Sequence, residues 1–209
     1  MMERGSREQN IKRIISMEDR IGQCQRCMNL FRCMRKPSLG KGDLEPDVLL
    51  VFECESSLTC DMDRLIDLRN VVKKAFNTEK VYHTFMVRCQ PKACSARQNA
   101  NCFIEGKLLD KNKVCMLTGK ECEGIPIKPT PEEIMNCMPF VMEEIRILQP
   151  QYVILFGDRV SSFIGKACGV YEGSSAGQQF NYEGISYAAT IVESAFTEGD
   201  ARNIANQNA

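Results

Sequence analysis

The sequence lacks any long apolar stretch. Its longest strongly apolar run, Val48-Leu49-Leu50-Val51-Phe52, falls far short of the roughly 20 residues a membrane-spanning helix needs. The N-terminus is charged and lacks the apolar core of a secretory signal, so a cytoplasmic protein without membrane association is expected. Net charge is also missing: 27 Lys and Arg balance 27 Asp and Glu, which excludes the strongly basic body of a non-specific nucleic-acid binder. There is one histidine, His83, which argues against mixed Cys/His zinc sites. What remains is 209 residues, 44% hydrophobic and 26% charged, the composition of a globular chain. A chain of this length buries roughly 70% of its unfolded surface and needs no staples to make a core.

Cysteine is the feature in excess. Twelve are present, at positions 24, 27, 33, 54, 60, 89, 94, 102, 115, 122, 137 and 168. Without a secretory signal a disulfide framework is disfavoured, and thiolate metal ligation is the better expectation: iron–sulfur clusters or Cys-only zinc. Charge is unevenly spread as well. Residues 1–41 hold ten basic residues against four acids, a segment suited to meeting phosphates, to forming a solvated helix face or to docking on the acidic remainder.

The apolar pattern predicts alternating strands and helices. A loose helical period over 8–31 carries Ile11, Ile14, Ile15, Met17 and Ile21 toward Cys24 and Cys27. Lys36 to Pro46 reads as loop, Asp47 to Glu53 as a buried strand, Asp61 to Phe76 as a helix and Val81 to Val87 as a second strand. Residues 90–128 are polar, glycine-containing and aperiodic, an insertion within a single domain spanning 1–209. Its Cys94, Cys102, Cys115 and Cys122 form a C-x7-C-x12-C-x6-C series in a segment too polar to fold by apolar burial, the situation in which a metal supplies folding energy. Zinc or a second iron–sulfur cluster are both open there. Order resumes at Thr130-Pro131-Glu132-Glu133, where an N-cap threonine, a proline at the first helical position and early acids announce a helix to Leu148. Tyr152 to Phe156 is a third buried strand, followed by a helix through Ala167. Phe180 to Tyr182 and Ile185 to Val192 pair as a hairpin around Glu183-Gly184, and a short helix follows Thr197. The expected architecture is a three-layer α/β/α domain with a central, largely parallel sheet.

In order, several landmarks resemble the iron–sulfur uracil-DNA glycosylases. They are Cys24-Gln25-Arg26-Cys27, the loop with Gly40 and Gly42, the strand at 47–53, Val87-Arg88-Cys89-Gln90-Pro91, and Pro129-Thr130-Pro131-Glu132-Glu133-Ile134 with Cys137 and Pro139-Phe140. The resemblance implies a four-iron four-sulfur cluster on Cys24, Cys27, Cys89 and Cys137. A Cys-x-x-Cys turn would supply two thiolates, and a strand end and a helix would supply the others, tying distant segments together.

The family's catalytic positions are altered. Its first loop corresponds to Phe52-Glu53-Cys54-Glu55-Ser56, which keeps the acid and lacks the glycines and proline. The uracil-reading asparagine corresponds to Phe85, and the late His-Pro-Ser to Val192-Glu193-Ser194. Glycosidic hydrolysis of a flipped base needs a water activator, a donor for the departing base and a reader of its edge. Glu53 and His83 are the candidate catalytic groups; Phe85 and Ser194 are candidate base or phosphate contacts. Three functions stay open: an iron–sulfur electron-transfer or assembly subunit with a protein partner, a DNA glycosylase of changed base preference, and a non-catalytic nucleic-acid-binding module. Loss of ordinary uracil excision is expected.

Overall fold

A computed structural model describes residues 5–27, 37–93, 114–116, 119, 125–171 and 176–207. Its elements are α1 (Arg7–Gly22), β1 (Lys41–Gly42), β2 (Val48–Phe52), α2 (Met62–Phe76), β3 (Val81–Phe85), β4 (Lys92–Ala93), β5 (Ile125–Pro126), α3 (Pro131–Leu148), β6 (Tyr152–Phe156), α4 (Asp158–Ala167), β7 (Gln179–Tyr182), β8 (Ile185–Thr190) and α5 (Glu198–Asn206).

Six strands form one sheet in the order β1-β3-β2-β6-β8-β7. The four central strands, β3, β2, β6 and β8, are parallel, and the antiparallel β1 and β7 close the edges. All five residues of β2 and of β3 are buried, because a parallel sheet is covered on both faces. Alternation along the strands sorts their side chains into two cores. Leu49, Val51, Tyr82, Val153, Leu155 and Tyr187 pack with α1, α3 and α4. Val48, Leu50, Phe52, Val81, Phe85, Ile154 and Phe156 pack under α2 and α5. The three-layer α/β/α arrangement is therefore the one that the alternating apolar segments imply.

Local chemistry sets the helix boundaries. Thr130 caps α3 through a reciprocal capping box with Glu133, and Ser6 and Thr197 do the same for α1 and α5. The first helix runs to Gly22, and Cys24 and Cys27 follow in the turn after it, as the apolar period implies. Two sequence expectations are corrected. The stretch 36–46 contains β1, whose Gly42 has a φ of +145° and lies so near β3 that a β-carbon would stand 2.4 Å from the Val81 carbonyl oxygen. The second strand ends at Phe85, although Met86 and Val87 still donate to the carbonyls of Phe52 and Glu53 at 2.7 and 2.8 Å. At the base of the insertion β4 and β5 pair antiparallel; Cys94, Cys102 and Cys122 lie outside the described residues, and Cys115 is buried. Among the described residues, no helix is long and apolar enough to cross a membrane.

Candidate functional site

Two sites stand at or near the C-terminal ends of the parallel strands, where crevices open in sheets of this kind. The first is a cluster of thiols. Cys24 and Cys27 lie in the turn after α1, Cys89 follows β3, and Cys137 lies in the second turn of α3. The turn is pinned to α3 by Arg26, whose Nη1 donates to the Asn136 carbonyl at 3.2 Å and whose guanidinium lies 4.8 Å from the Phe140 ring centroid. The four sulfurs are near enough to act on one another. Burial, with negative charge at Cys137, Cys27 and Cys24, pushes the Cys89 thiol up to about 12. Burial raises Cys27 too, opposed by a hydrogen bond with Asn136. Cys137 is also raised by burial, but the Arg88 backbone N–H, donating to its Sγ at 3.3 Å, and the Arg88 guanidinium pull the other way.

Among the described residues, no three His, Cys, Asp or Glu side chains are arranged to hold a single metal ion. Four thiols from three separate segments nevertheless meet here, with the Glu133 carboxylate close to Cys27 and Cys89. That chemistry suits an all-thiolate group larger than one ion.

Behind the thiols lies a polar network that the sequence reading missed. Arg88 and Glu144 are each 1% exposed and form an ion pair. The Glu144 carboxylate also accepts from Tyr82 Oη at 2.8 Å and from Thr84 Oγ1. Burial alone would pull the Arg88 guanidinium down, but Glu144 keeps it charged. One signal was available: Glu144 lies seven residues after Cys137, two helical turns along the same buried face, where an acid stands among apolar residues.

The second site is a cleft of about 620 Å³ formed by the loops after β2, β6 and β8 and by the start of α3's leading loop. The structure brings Glu53 and Ser194 together there, with Glu55, Gln90, Asp158 and Glu193. A tight turn, in which Ser56 N donates to Thr59 Oγ1 at 2.8 Å, shapes the first loop. Arg159, also absent from the sequence reading, donates to Glu53 and, at 2.6 Å, to the Pro129 carbonyl. This cross-link holds the first loop against the approach to α3. Carboxylates therefore outnumber cations in the cleft: Glu53, Glu55, Asp158 and Glu193 against Lys128 and Arg159. Burial and the charges of Glu53 and Glu193 push Cys54 up to about 12, so it is a protonated thiol rather than a nucleophile at neutral pH.

His83 and Phe85 do not line this cleft. Both sit on the strand face that packs under α2, with His83 3% and Phe85 4% exposed and their rings 6.0 Å apart. Burial, then Arg69 and Lys41, lowers His83 to about 4, so its imidazole is neutral near pH 7. Gly157 opens α4 at the cleft with a φ of +87°, a conformation suited to glycine.

The family model for the uracil DNA glycosylase superfamily matches residues 62–195, more than half of the chain. The chain belongs to this superfamily. The match includes Cys89, Cys137 and the β6 and β8 walls of the cleft, and it begins after Cys24, Cys27 and Glu53. No curated protein matches the chain.

Proposed function

We propose that this chain is an iron–sulfur member of the superfamily, with a four-iron four-sulfur cluster on Cys24, Cys27, Cys89 and Cys137, working as an electron-transfer or complex-assembly subunit. The observation that carries the reading is the thiol cluster itself, four mutually interacting sulfurs from three segments. When bound, such a group supplies one-electron transfer and a cross-link between α1, β3 and α3.

Ordinary uracil excision fits the cleft poorly. Glu53 is engaged by Arg159, the position of the base-reading asparagine is a buried Phe85, and the late histidine is replaced by Val192. Removing one donor of the oxyanion type costs about 3–4 kcal/mol of transition-state stabilisation, a factor of roughly a hundred to a thousand. The excess of carboxylates also repels phosphate.

Anaerobic purification with iron and acid-labile sulfide quantified per chain tests the cluster. Cys137→Ser is expected to lose most of the iron; a variant that retains full iron and folds normally refutes the ligand set. On uracil-containing DNA the loaded chain is expected to show at most trace excision. Enzyme-like turnover abolished by Glu53→Gln would reverse the order of readings.

One observation favours a second reading, a glycosylase of changed base preference. Glu53, Glu55 and Glu193 are acceptors in the cleft, and acceptors match the amino edges of cytosine and adenine better than the carbonyl edges of uracil. Excision from duplexes carrying modified amino-bearing bases distinguishes it. A second metal on Cys94, Cys102, Cys115 and Cys122 is a separate proposal, tested by zinc and iron content before and after replacing Cys115.

A further inference from the structure

A buried cation beside the thiol cluster has only part of its hydrogen-bonding capacity met. Arg88 is buried to 1% exposure, and its Nη2 meets Glu144. Two other donors, Nε and Nη1, are buried with no hydrogen-bond partner among the described residues. The Glu144 carboxylate takes Nη2 alone of the guanidinium donors, with Tyr82 and Thr84 as its other donors. Unmet donors on a buried cation are costly, and a negative group alongside would offset that cost. Cys137 is close by: the Arg88 backbone N–H donates to its Sγ at 3.3 Å, and the guanidinium acts electrostatically on the same sulfur. Four thiolates outweigh the positive charge of an iron–sulfur core, so a loaded site is net negative.

We propose that Arg88 is the buried counter-charge of the cluster: Glu144 locks its guanidinium beside Cys137, and the locked cation raises the cluster's reduction potential by stabilising the electron-rich state. This rests on the reading that the four cysteines hold a cluster. Arg88 is a positioning and tuning residue. A merely structural ion pair acts on folding stability alone and would leave the potential where it is.

The full chain is prepared anaerobically as the parent and as Arg88→Lys, Glu144→Gln and the double variant Arg88→Gln/Glu144→Gln. Iron and sulfide per chain are measured, and the cluster is titrated with a chemical one-electron reductant while its paramagnetic signal is followed. Glu144→Gln leaves the cation unopposed and is expected to favour the reduced cluster about tenfold, or ~59 mV for one electron. The double variant is expected to fall below Glu144→Gln by at least as much, and Arg88→Lys, which keeps the charge, to stay within about threefold of the parent, less than half the tenfold step of ~59 mV. Equal potentials in loaded Glu144→Gln and the double variant overturn the proposal. If the double variant does not fold, Glu144→Gln against the parent decides it, and an unshifted potential overturns it. A parent without iron or sulfide refutes the cluster reading itself, a result distinct from both.

Discussion

Gly40→Ala offers a test of the buried network through stability alone. Gly40 does not have a positive φ, so alanine fits its backbone and would ordinarily stabilise the protein by about 0.4–1 kcal/mol through the unfolded chain. Space reverses the sign. A β-carbon there stands 2.4 Å from Tyr82 Oη and 2.5 Å from Glu144 Oε1, against an ordinary contact beyond 3.4 Å. Neither neighbour has slack, because Tyr82 donates to Glu144 at 2.8 Å and Glu144 is held by Arg88 and Thr84. Relief requires a shift of about 1 Å, with overpacking of roughly 1–3 kcal/mol. Losing a hydrogen bond to a charged group costs roughly 1.5–3 kcal/mol. Net of the entropy gain, the variant is expected to lose about 3 kcal/mol, or roughly 6–12 °C in melting temperature for a domain of this size. Gly22→Ala is the control: nothing lies within 4 Å of its β-carbon position, so its midpoint is expected to rise by the equivalent of about 0.5–1 kcal/mol. Urea unfolding of parent and both variants, at matched iron content, measures the difference. A Gly40→Ala midpoint at or above the parent's, with Gly22→Ala behaving as expected, would refute the reasoning about this network.

Two further outcomes are expected. Thr130→Ala removes the side-chain acceptor for Glu133 N and should lower the urea midpoint by the equivalent of about 1 kcal/mol, with Thr130→Ser recovering most of it. His83, lowered to about 4 from an ordinary 6.5, binds its proton less readily when folded; its contribution is complete above about 6.5 and is lost as the pH falls toward 4, up to about 3 kcal/mol. His83→Phe, placed beside Phe52 and Phe85, should therefore flatten the acid side of the stability profile, and parallel profiles for parent and variant would show that another group is responsible.

Most elements were legible because their signals are local. The strands at 48–52 and 152–156 are apolar runs between turn residues, and α3 carries its cap, its proline and its acids in four consecutive positions. Strand β1 was not legible: its two residues are exposed and have no period, and only pairing with His83 and Tyr82 makes them a strand. His83 is instructive in another way. Strand alternation correctly puts it on the same face as Phe85, but alternation does not say whether that face borders a cleft or a helix layer, and here it lies under α2. The ion pairs Arg88–Glu144 and Arg159–Glu53 join residues 56 and 106 positions apart. Nothing local announces such a partner beyond an acid on an apolar helix face.

The chain path links the two sites. Cys89, one of the four clustered thiols, is followed immediately by Gln90, whose side chain lines the cleft and donates at 3.0 Å to the Ile127 carbonyl on its other wall. Arg159 spans the same opening, from Glu53 to the carbonyl of Pro129, one residue before the Thr130 cap of the helix that bears Cys137. Two of the segments that line the cleft are thus covalently continuous with residues of the thiol cluster: Gln90 directly follows Cys89, and residues 126–128 lead into the helix that bears Cys137. A displacement of these thiols is expected to reach the cleft through those two connections, although none of the four lines it.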